Sequence, residues 1–346
     1  MPGQLTTRIL RNPDELRSIA AEWSNLWQEC HGATPFQRCQ WLLPWIEVFS
    51  PHKLRVIAVW RGEARPAQQL VALAPLLIYP RGSARVLALA GGGVSDYLDA
   101  LVHPAYLEHA LSAIFHCIDE LADEWDVAEF TDLTPSSPLL RMHGYVVHSP
   151  HDACPVLSIP AGVSQLSDFI PARQLRNLRN ARNRIAQLTD VCIERASAAT
   201  AGEFLDALFQ LHSARWNSAG MPGVLCGDRL RDFHLRVVHG LLPGNIVRLY
   251  GLRCAGHLIG VLYAIFERST AYYYLQGFDP EFAWYSPGTQ LIARVVEDAL
   301  REGKKQVDFL RGREAYKYSW GPHDNLTSRL TYAGVRPTSS MPKSAA

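Results

Sequence analysis

The run Ala271-Tyr-Tyr-Tyr-Leu-Gln-Gly-Phe278, continued by Asp279-Pro-Glu-Phe-Ala-Trp-Tyr-Ser-Pro-Gly288, decides how the rest of the chain is read. Its first eight residues are rich in tyrosine, a side chain that suits a pleated, half-buried surface, and they predict a strand. Beyond the loop, Leu291, Ile292, Val295, Val296, Ala299 and Leu300 recur at the spacing of one helix face, predicting a helix over 289–301. After Gly303, a second strand is expected at Gln306–Leu310, followed by Arg311-Gly-Arg-Glu-Ala-Tyr-Lys-Tyr-Ser-Trp320. The order is strand, loop, helix, strand, with polar residues crowded after each strand, where ligands of open α/β sheets bind. Pro287 suits a first helical turn, since its missing N–H would go unpaired there. Gly288 leaves the backbone bare, and free N–H groups with the helix dipole favour an anion. The same pattern also fits an ordinary strand–helix–strand unit whose Pro-Gly only starts a helix.

Working outward, the elements of this segment have counterparts earlier. Strands are expected at Leu54–Trp60, Leu70–Tyr79 and Arg85–Ala90, then a helix over 105–123 and a strand at Val127–Leu133. The later set is Ile246–Leu252, Leu258–Phe266 and Ala271–Phe278, with the 289–301 helix and the 306–310 strand. Each set has an aspartate after its third strand, Asp96 and Asp279. Side-chain identity between the sets is slight, so the repeat is one of elements. The first set enters its helix through His103-Pro-Ala-Tyr106 and lacks the Pro-Gly, which makes it the poorer anion site. Upstream, a helix is expected over 13–30 with Asn12 as its cap, and another over 40–49.

Between the two sets lies Arg173-Gln-Leu-Arg-Asn-Leu-Arg-Asn-Ala-Arg-Asn-Arg-Ile-Ala-Gln-Leu188. Leu178, Ala181, Ile185 and Leu188 line one face, while five arginines, with no acidic residue between Asp168 and Asp190, repel one another unless an anion answers them. Arginine's planar fork matches phosphate, so the Arg173–Arg184 helix is a candidate for a phosphate-rich ligand, with Arg176 and Arg179 as contacts. A solvated face paired with acids from elsewhere is the alternative. Helices over 201–216 and 228–240 follow, separated by a loop, Asn217-Ser-Ala-Gly-Met-Pro-Gly-Val224.

Composition bounds the function. With 346 residues, 48% hydrophobic and 19% charged, the chain is long enough for two globular domains. A net charge of +1 argues against general nucleic-acid binding. Seven scattered cysteines show neither a metal-ligand spacing nor a disulfide framework, so no metal is expected. No apolar run is long enough to span a bilayer and the N-terminus lacks a signal-peptide core, which predicts a cytoplasmic protein.

The sequence resembles the CelD/BcsL-type acetyltransferases, GNAT-fold proteins related to the FemAB aminoacyl transferases. The resemblance covers most of the chain. It is carried by Ser95-Asp-Tyr97 with Asp99, the Arg/Asn helix, His212-Ser-Ala-Arg-Trp216 and Gly220-Met-Pro-Gly223. Further matches are Tyr273-Tyr-Leu-Gln-Gly-Phe-Asp279, Ser286-Pro-Gly288, and Asp308-Phe-Leu-Arg-Gly-Arg-Glu-Ala-Tyr-Lys317 with Trp320. It implies an α/β (α+β) fold of two tandem GNAT-like halves, each a mixed central sheet flanked by helices. The N-terminal half, with a degenerate donor site, would occupy 1–160, the active half 161–335, and a disordered tail 336–346. It further implies an N- or O-acyltransferase that uses acetyl-CoA or another acyl-CoA. The acceptor would be a small molecule or glycan in cell-envelope, exopolysaccharide or cellulose biosynthesis.

One departure stands out. Typical GNAT enzymes hold the coenzyme A pyrophosphate on a Gln/Arg-x-x-Gly-x-Gly/Ala loop, and here Tyr285-Ser-Pro-Gly-Thr289 has a single glycine. Tyr316-Lys-Tyr-Ser-Trp-Gly321 also resembles a Phe-Lys-x-x-Phe-Gly run of FemAB proteins. A transferase using aminoacyl-tRNA on a peptidoglycan-type precursor is therefore a second reading, although the coiled-coil arm of several FemAB proteins is missing. A non-catalytic accessory protein of a polysaccharide-synthesis complex is the third.

Acyl transfer requires an anchored donor, a polarised carbonyl, a deprotonated nucleophile and a protonated leaving group. Ser286, Gly288 and Thr289 are expected to anchor the donor at a surface turn. Backbone N–H groups at Gln276 and Gly277, where a glycine permits a bulge, are expected to polarise its carbonyl. Asp279 or Glu314 would accept the proton and Tyr316 would donate one. Asp96, Tyr97, Trp216 and Lys317, with Arg176 and Arg179, complete the expected substrate contacts. Asp279 before Pro280 is equally a turn former, and Tyr316 equally a packing residue.

Overall fold

The computed structural model describes residues 5–49, 53–62, 68–142, 146–218 and 227–333, side chains at 214–218 and 333 excepted. The chain forms two compact units, Met1–His151 with Thr327–Ala346, and Asp152–Leu326.

The first unit begins with β1 (Leu5–Leu10), α1 (Pro13–Arg17), α2 (Ala20–Glu29) and α3 (Cys39–Phe49). Asn12 caps α1 through its side chain, but the helix expected over 13–30 is two helices. The Ser18 hydroxyl donates to the Glu15 carbonyl at 2.7 Å, and the helix ends at Arg17 before restarting at Ala20. Next come β2 (Lys53–Leu54), β3 (Val56–Arg61), β4 (Gln69–Ala74), β5 (Leu76–Arg81), β6 (Ala84–Leu89), β7 (Leu101–Val102), α4 (Leu107–Glu120) and β8 (Val127–Leu133). The strand expected over 70–79 is broken at Pro75, which has no N–H to offer a ladder. Its halves join different partners: β4 pairs with β3 and β7, and β5 with β2 and β6. Helix α4 packs Ala110, Leu111, Ile114 and Ile118 into a core with Phe130, Trp125 and Leu330.

Strand β9 (Val146–Ser158) passes from the first unit into the second. The second unit continues with α5 (Ala172–Ile185), β10 (Val191–Arg195), α6 (Ala201–Ser218), α7 (Asp228–Leu241), β11 (Val247–Cys254), β12 (His257–Glu267) and β13 (Thr270–Phe278). Helix α8 (Pro287–Arg301), β14 (Gln306–Asp308), α9 (Ala315–Tyr318) and β15 (His323–Ala333) complete the chain. Its strands lie in the order β10-β11-β12-β13-β14-β9. The strands β11, β12 and β13 are antiparallel neighbours, and β13 then pairs parallel with β14 across the α8 crossover. Two polar ties fix α8. Arg248 on β11 makes a bidentate pair with Glu302 at 2.7 and 2.8 Å, and the Tyr250 hydroxyl donates to buried Asp298 at 2.9 Å.

The order of elements repeats between the units. In the first, β5 and β6 are antiparallel and β6 pairs parallel with β8 across α4. The second neighbour of β14 is β9, and the second neighbour of β8 is β15. Thus each unit is completed by a strand that follows the other unit's elements in sequence. The division falls at 151/152 and not at 160/161, and the strand residues from Thr327 belong to the first unit and not the second. Strands 1, 9, 10 and 15 had no counterpart in the sequence reading. The 336–346 tail lies outside the described residues.

Gly277 is fixed by packing. A Cβ there would stand 2.6 Å from the backbone nitrogen of His212 and 3.0 Å from the Leu208 carbonyl oxygen, so α6 lies directly on β13. Because those are backbone atoms, Gly277→Ala should destabilise the protein by about 1–3 kcal/mol in denaturant unfolding. Gly202→Ala, with nothing within 4 Å, should be neutral or stabilising.

Candidate functional site

Strands β13 and β14 are hydrogen-bonded over only three residue pairs, Thr270↔Gln306 to Tyr272↔Asp308. Beyond them β13 runs on to Phe278, while the other chain turns away through Leu310 (φ 58°) and Gly312 (φ 108°). From Tyr273 onward β13 has no strand on that side among the described residues, so alternate backbone N–H and C=O groups face the opening. The β12–β13 register shifts between Tyr263/Ala264, opposite Leu275 and Tyr273, which leaves Tyr274 as the extra residue of a bulge. The bulge lies at Tyr274 and not at Gly277, and it lets Tyr273, Gln276 and Phe278 line one cavity.

That cavity, of about 530 Å³, fills the opening. Helix α8 starts at its wall. Ser286 takes a left-handed conformation (φ 52°, ψ 55°) that turns the chain into the helix, and no side chain caps the first turn. Its hydroxyl is engaged by Arg184 of α5, whose Nη2 donates at 3.0 Å. The same guanidinium lies 4.8 Å from the Trp284 ring centre, and its Nε is buried with no partner among the described residues. Gly288 and Thr289 line the cavity beside it. A positive side chain and an uncapped helix N-terminus thus converge on one wall, an arrangement suited to phosphate.

Gly288 belongs to the interior, and the surface turn expected from the sequence does not hold for it. It is buried, and a Cβ would come within 2.1 Å of Gln276 Nε2. The glycine exists so that Gln276 can lie across the helix start. Gln276 Oε1 accepts from the Tyr273 hydroxyl at 2.8 Å, which in turn accepts from the Tyr316 hydroxyl at 3.2 Å. Gln276, Ser286, Gly288, Thr289 and Tyr316 are therefore brought together on one cavity, with Trp320 and Ile292 forming its apolar side.

Other expected residues lie elsewhere. Asp279 caps the 280–285 turn, accepting from the Glu281 N–H at 3.0 Å, and it does not line the cavity. Glu314 is half-exposed and pairs with Lys317 at 2.9 Å. Lys317 is 3% exposed, and its Nζ donates to the carbonyl oxygens of Leu310, Arg311 and Gly312. It holds the turn after β14 together and does not present its charge to a ligand. On α5, Arg173, Arg176 and Arg179 are exposed and away from the cavity, and Arg182 pairs with Glu297 at 2.6 Å. Tyr97, buried, lines a separate cavity of the first unit, and Asp96 is beside it in sequence. The Trp216 side chain and Gly220–Gly223 lie outside the described residues.

The sequence reading grouped Arg184 with the other arginines and passed over Gln174, Asn177 and Asn180. All four line the cavity, at spacings of three, three and four. A polar stripe at helical spacing beside the apolar one was the available signal.

Residues 172–318, less than half of the chain, match the family model described as Acetyltransferase (GNAT) domain. Two GNAT-like halves make up the fold. A crystal structure of FemX superposes with a TM-score of 0.65 at 12% identity, over 91% of this chain and 96% of that one. The structure of L-PGS from Bacillus licheniformis gives 0.56 at 12% identity, over 94% and 93%. A tandem GNAT protein from the clavulanic acid biosynthesis pathway gives 0.50 at 17% identity, over 96% and 100%. No curated protein matches the sequence. At these identities the structural likenesses establish the fold alone. No described helix is long and apolar enough to cross a membrane.

The placement of Lys317 has a measurable consequence. Lys317→Met would leave three carbonyls and Glu314 without their donor, so it should cost about 2 kcal/mol or more of unfolding free energy. A phosphate-binding lysine would instead lower ligand affinity with little change in melting temperature.

Proposed function

We propose that the chain is a GNAT-type acyltransferase whose second unit takes an acyl group from acyl-CoA and passes it to an amine or hydroxyl. The observation that carries this reading is the cavity between β13 and β14, where Arg184 and the uncapped start of α8 meet. This wall would hold the donor's phosphates. The gap-facing N–H groups of β13 would polarise the thioester carbonyl, since fixed donors stabilise the oxyanion of acyl transfer. As the acceptor attacks, a C–N or C–O bond forms and the C–S bond breaks; the attacking amine or hydroxyl gives up a proton to water and the leaving sulfur takes one up. Tyr316 would supply the sulfur's proton, and the hydrogen bond from its hydroxyl to Tyr273, which donates on to Gln276, supports that reading.

Glycan or envelope precursors are the acceptor class that the family resemblance favours. The likeness to FemX keeps aminoacyl-tRNA as the rival donor, on fold alone.

Calorimetry with coenzyme A and acetyl-CoA tests the donor. The wild-type chain should bind both. Arg184→Gln should weaken binding about tenfold or more, as for one lost charge-assisted hydrogen bond, and should steepen no unfolding curve. Arg176→Gln should bind like wild type. No coenzyme A binding by a folded wild-type protein, together with ribonuclease-sensitive transfer, would replace acyl-CoA by aminoacyl-tRNA. In the same assay Tyr316→Phe should bind donor normally and transfer roughly ten- to a hundredfold more slowly.

A further inference from the structure

The first unit has an opening of its own. Strands β6 and β8 pair only at Val86↔Val127 and Leu87↔Ala128, and the segments that follow them, 97–104 and 134–138, wall a cavity of about 280 Å³. Its chemistry is the reverse of the second unit's. The turn entering α4 is already satisfied, because His103 Nδ1 accepts from the Ala105 N–H at 3.1 Å. The cavity's arginine, Arg141, is held by Glu108 at 2.5 Å. Most of the wall is apolar, formed by Ala33, Leu98, Ala100, Val102, Leu107 and Pro138.

Into this wall is set one carboxylate, Asp99. Its Oδ1 accepts from the Ser137 hydroxyl at 2.8 Å and from the Ala100 N–H at 2.8 Å. Ser137 is itself fixed, since its oxygen caps the 138–141 turn by accepting from the Leu139 N–H. The carboxylate is therefore held by one oxygen, and Oδ2 has no hydrogen-bond partner among the described residues. We propose that this cavity is a second small-molecule site, one that takes a ligand presenting a protonated amine on an apolar body, with Asp99 Oδ2 as its acceptor. Among the described residues the arginine lining the cavity is paired with Glu108, so an anionic ligand would meet the carboxylate without a free guanidinium to offset it. An ammonium would complete its hydrogen bonding and place its hydrocarbon against the apolar wall.

Burial pushes the Asp99 carboxyl up to about 7. The other titratable or charged groups lining the cavity are Cys30, His31, Tyr97 and the Glu108-paired Arg141. Because the Asp99 pKa is raised, the anion that an ammonium needs is present above that pH and lost below it.

The full-length chain is titrated with n-hexylamine, n-hexanol and hexanoate, followed by ligand-observed NMR. Hexylamine should bind best. Asp99→Asn should lose about tenfold or more of hexylamine affinity and keep its hexanol affinity, while melting as a folded protein. If that variant does not fold, the wild-type pH profile decides: hexylamine affinity should rise about tenfold between pH 6 and 8, and hexanol affinity should not. The same profile in His31→Asn removes the histidine's own titration. Hexanol or hexanoate binding as tightly as hexylamine overturns the proposal. So does a folded Asp99→Asn with unchanged hexylamine affinity, or a flat pH profile in wild type and His31→Asn alike.

Discussion

The second unit depends on two parallel strands that stay together for only three residues. Had β14 followed β13 to Phe278, the ladder would have consumed the backbone groups that now face the opening, and no cavity would exist. The separation leaves polar backbone without a strand partner, and the structure compensates locally. Lys317 gathers the carbonyls of the departing chain, Gln276 packs against Gly288 in the first turn of α8, and Trp320 is buried beneath the opening. The helix is then held at its far end by the Arg248–Glu302 pair, so its first turn is presented by a rigid rod. The cavity is lined by positions that a continuous sheet would have closed.

The first unit makes the same separation and furnishes it differently. Where the second brings an arginine and an uncapped helix start, the first brings a carboxylate and a helix entry already capped by His103. One backbone geometry therefore carries opposite charges at its opening, because the charged groups that line it, Arg184 and Asp99, come from a neighbouring helix and a loop. The unit with the arginine-bearing wall is the one whose sequence matches the acetyltransferase domain.

Elements with strong periodicity were legible in the sequence. The 289–301 helix, strands β3, β6, β8 and β11 to β14 and the apolar face of α5 follow from side-chain spacing alone. What failed had local causes. Pro75 cut a strand that its apolar run concealed, and Ser18 divided a helix whose apolar face continues through both pieces. Strands 1, 9, 10 and 15 went unseen because their partners are distant in sequence, and nothing in a local window records a distant partner. Ser286, Gly288, Thr289, Gln276 and Tyr316 share one cavity, and the sequence grouped them because they cluster after a strand and at a helix start. Lys317 was misplaced because a lysine near a turn reads the same whether it faces phosphate or three carbonyls. Arg184 hid among four arginines of equal appearance, and only the helical phase separates it from them.

The exchange of closing strands bears on how the chain can be made. During synthesis the first unit emerges complete but for its last strand, and β8 waits with an open edge until residues 328–333 leave the ribosome. Leu330 and Tyr332, which belong to the first core, arrive only after all of the second unit's elements. Nascent chains stalled in the second unit are therefore not half-proteins with one finished domain but species with an exposed sheet edge and an unfilled core. Quality control would meet them as a single folding unit, and a fusion or split placed between the two halves would separate strands from the sheets they complete.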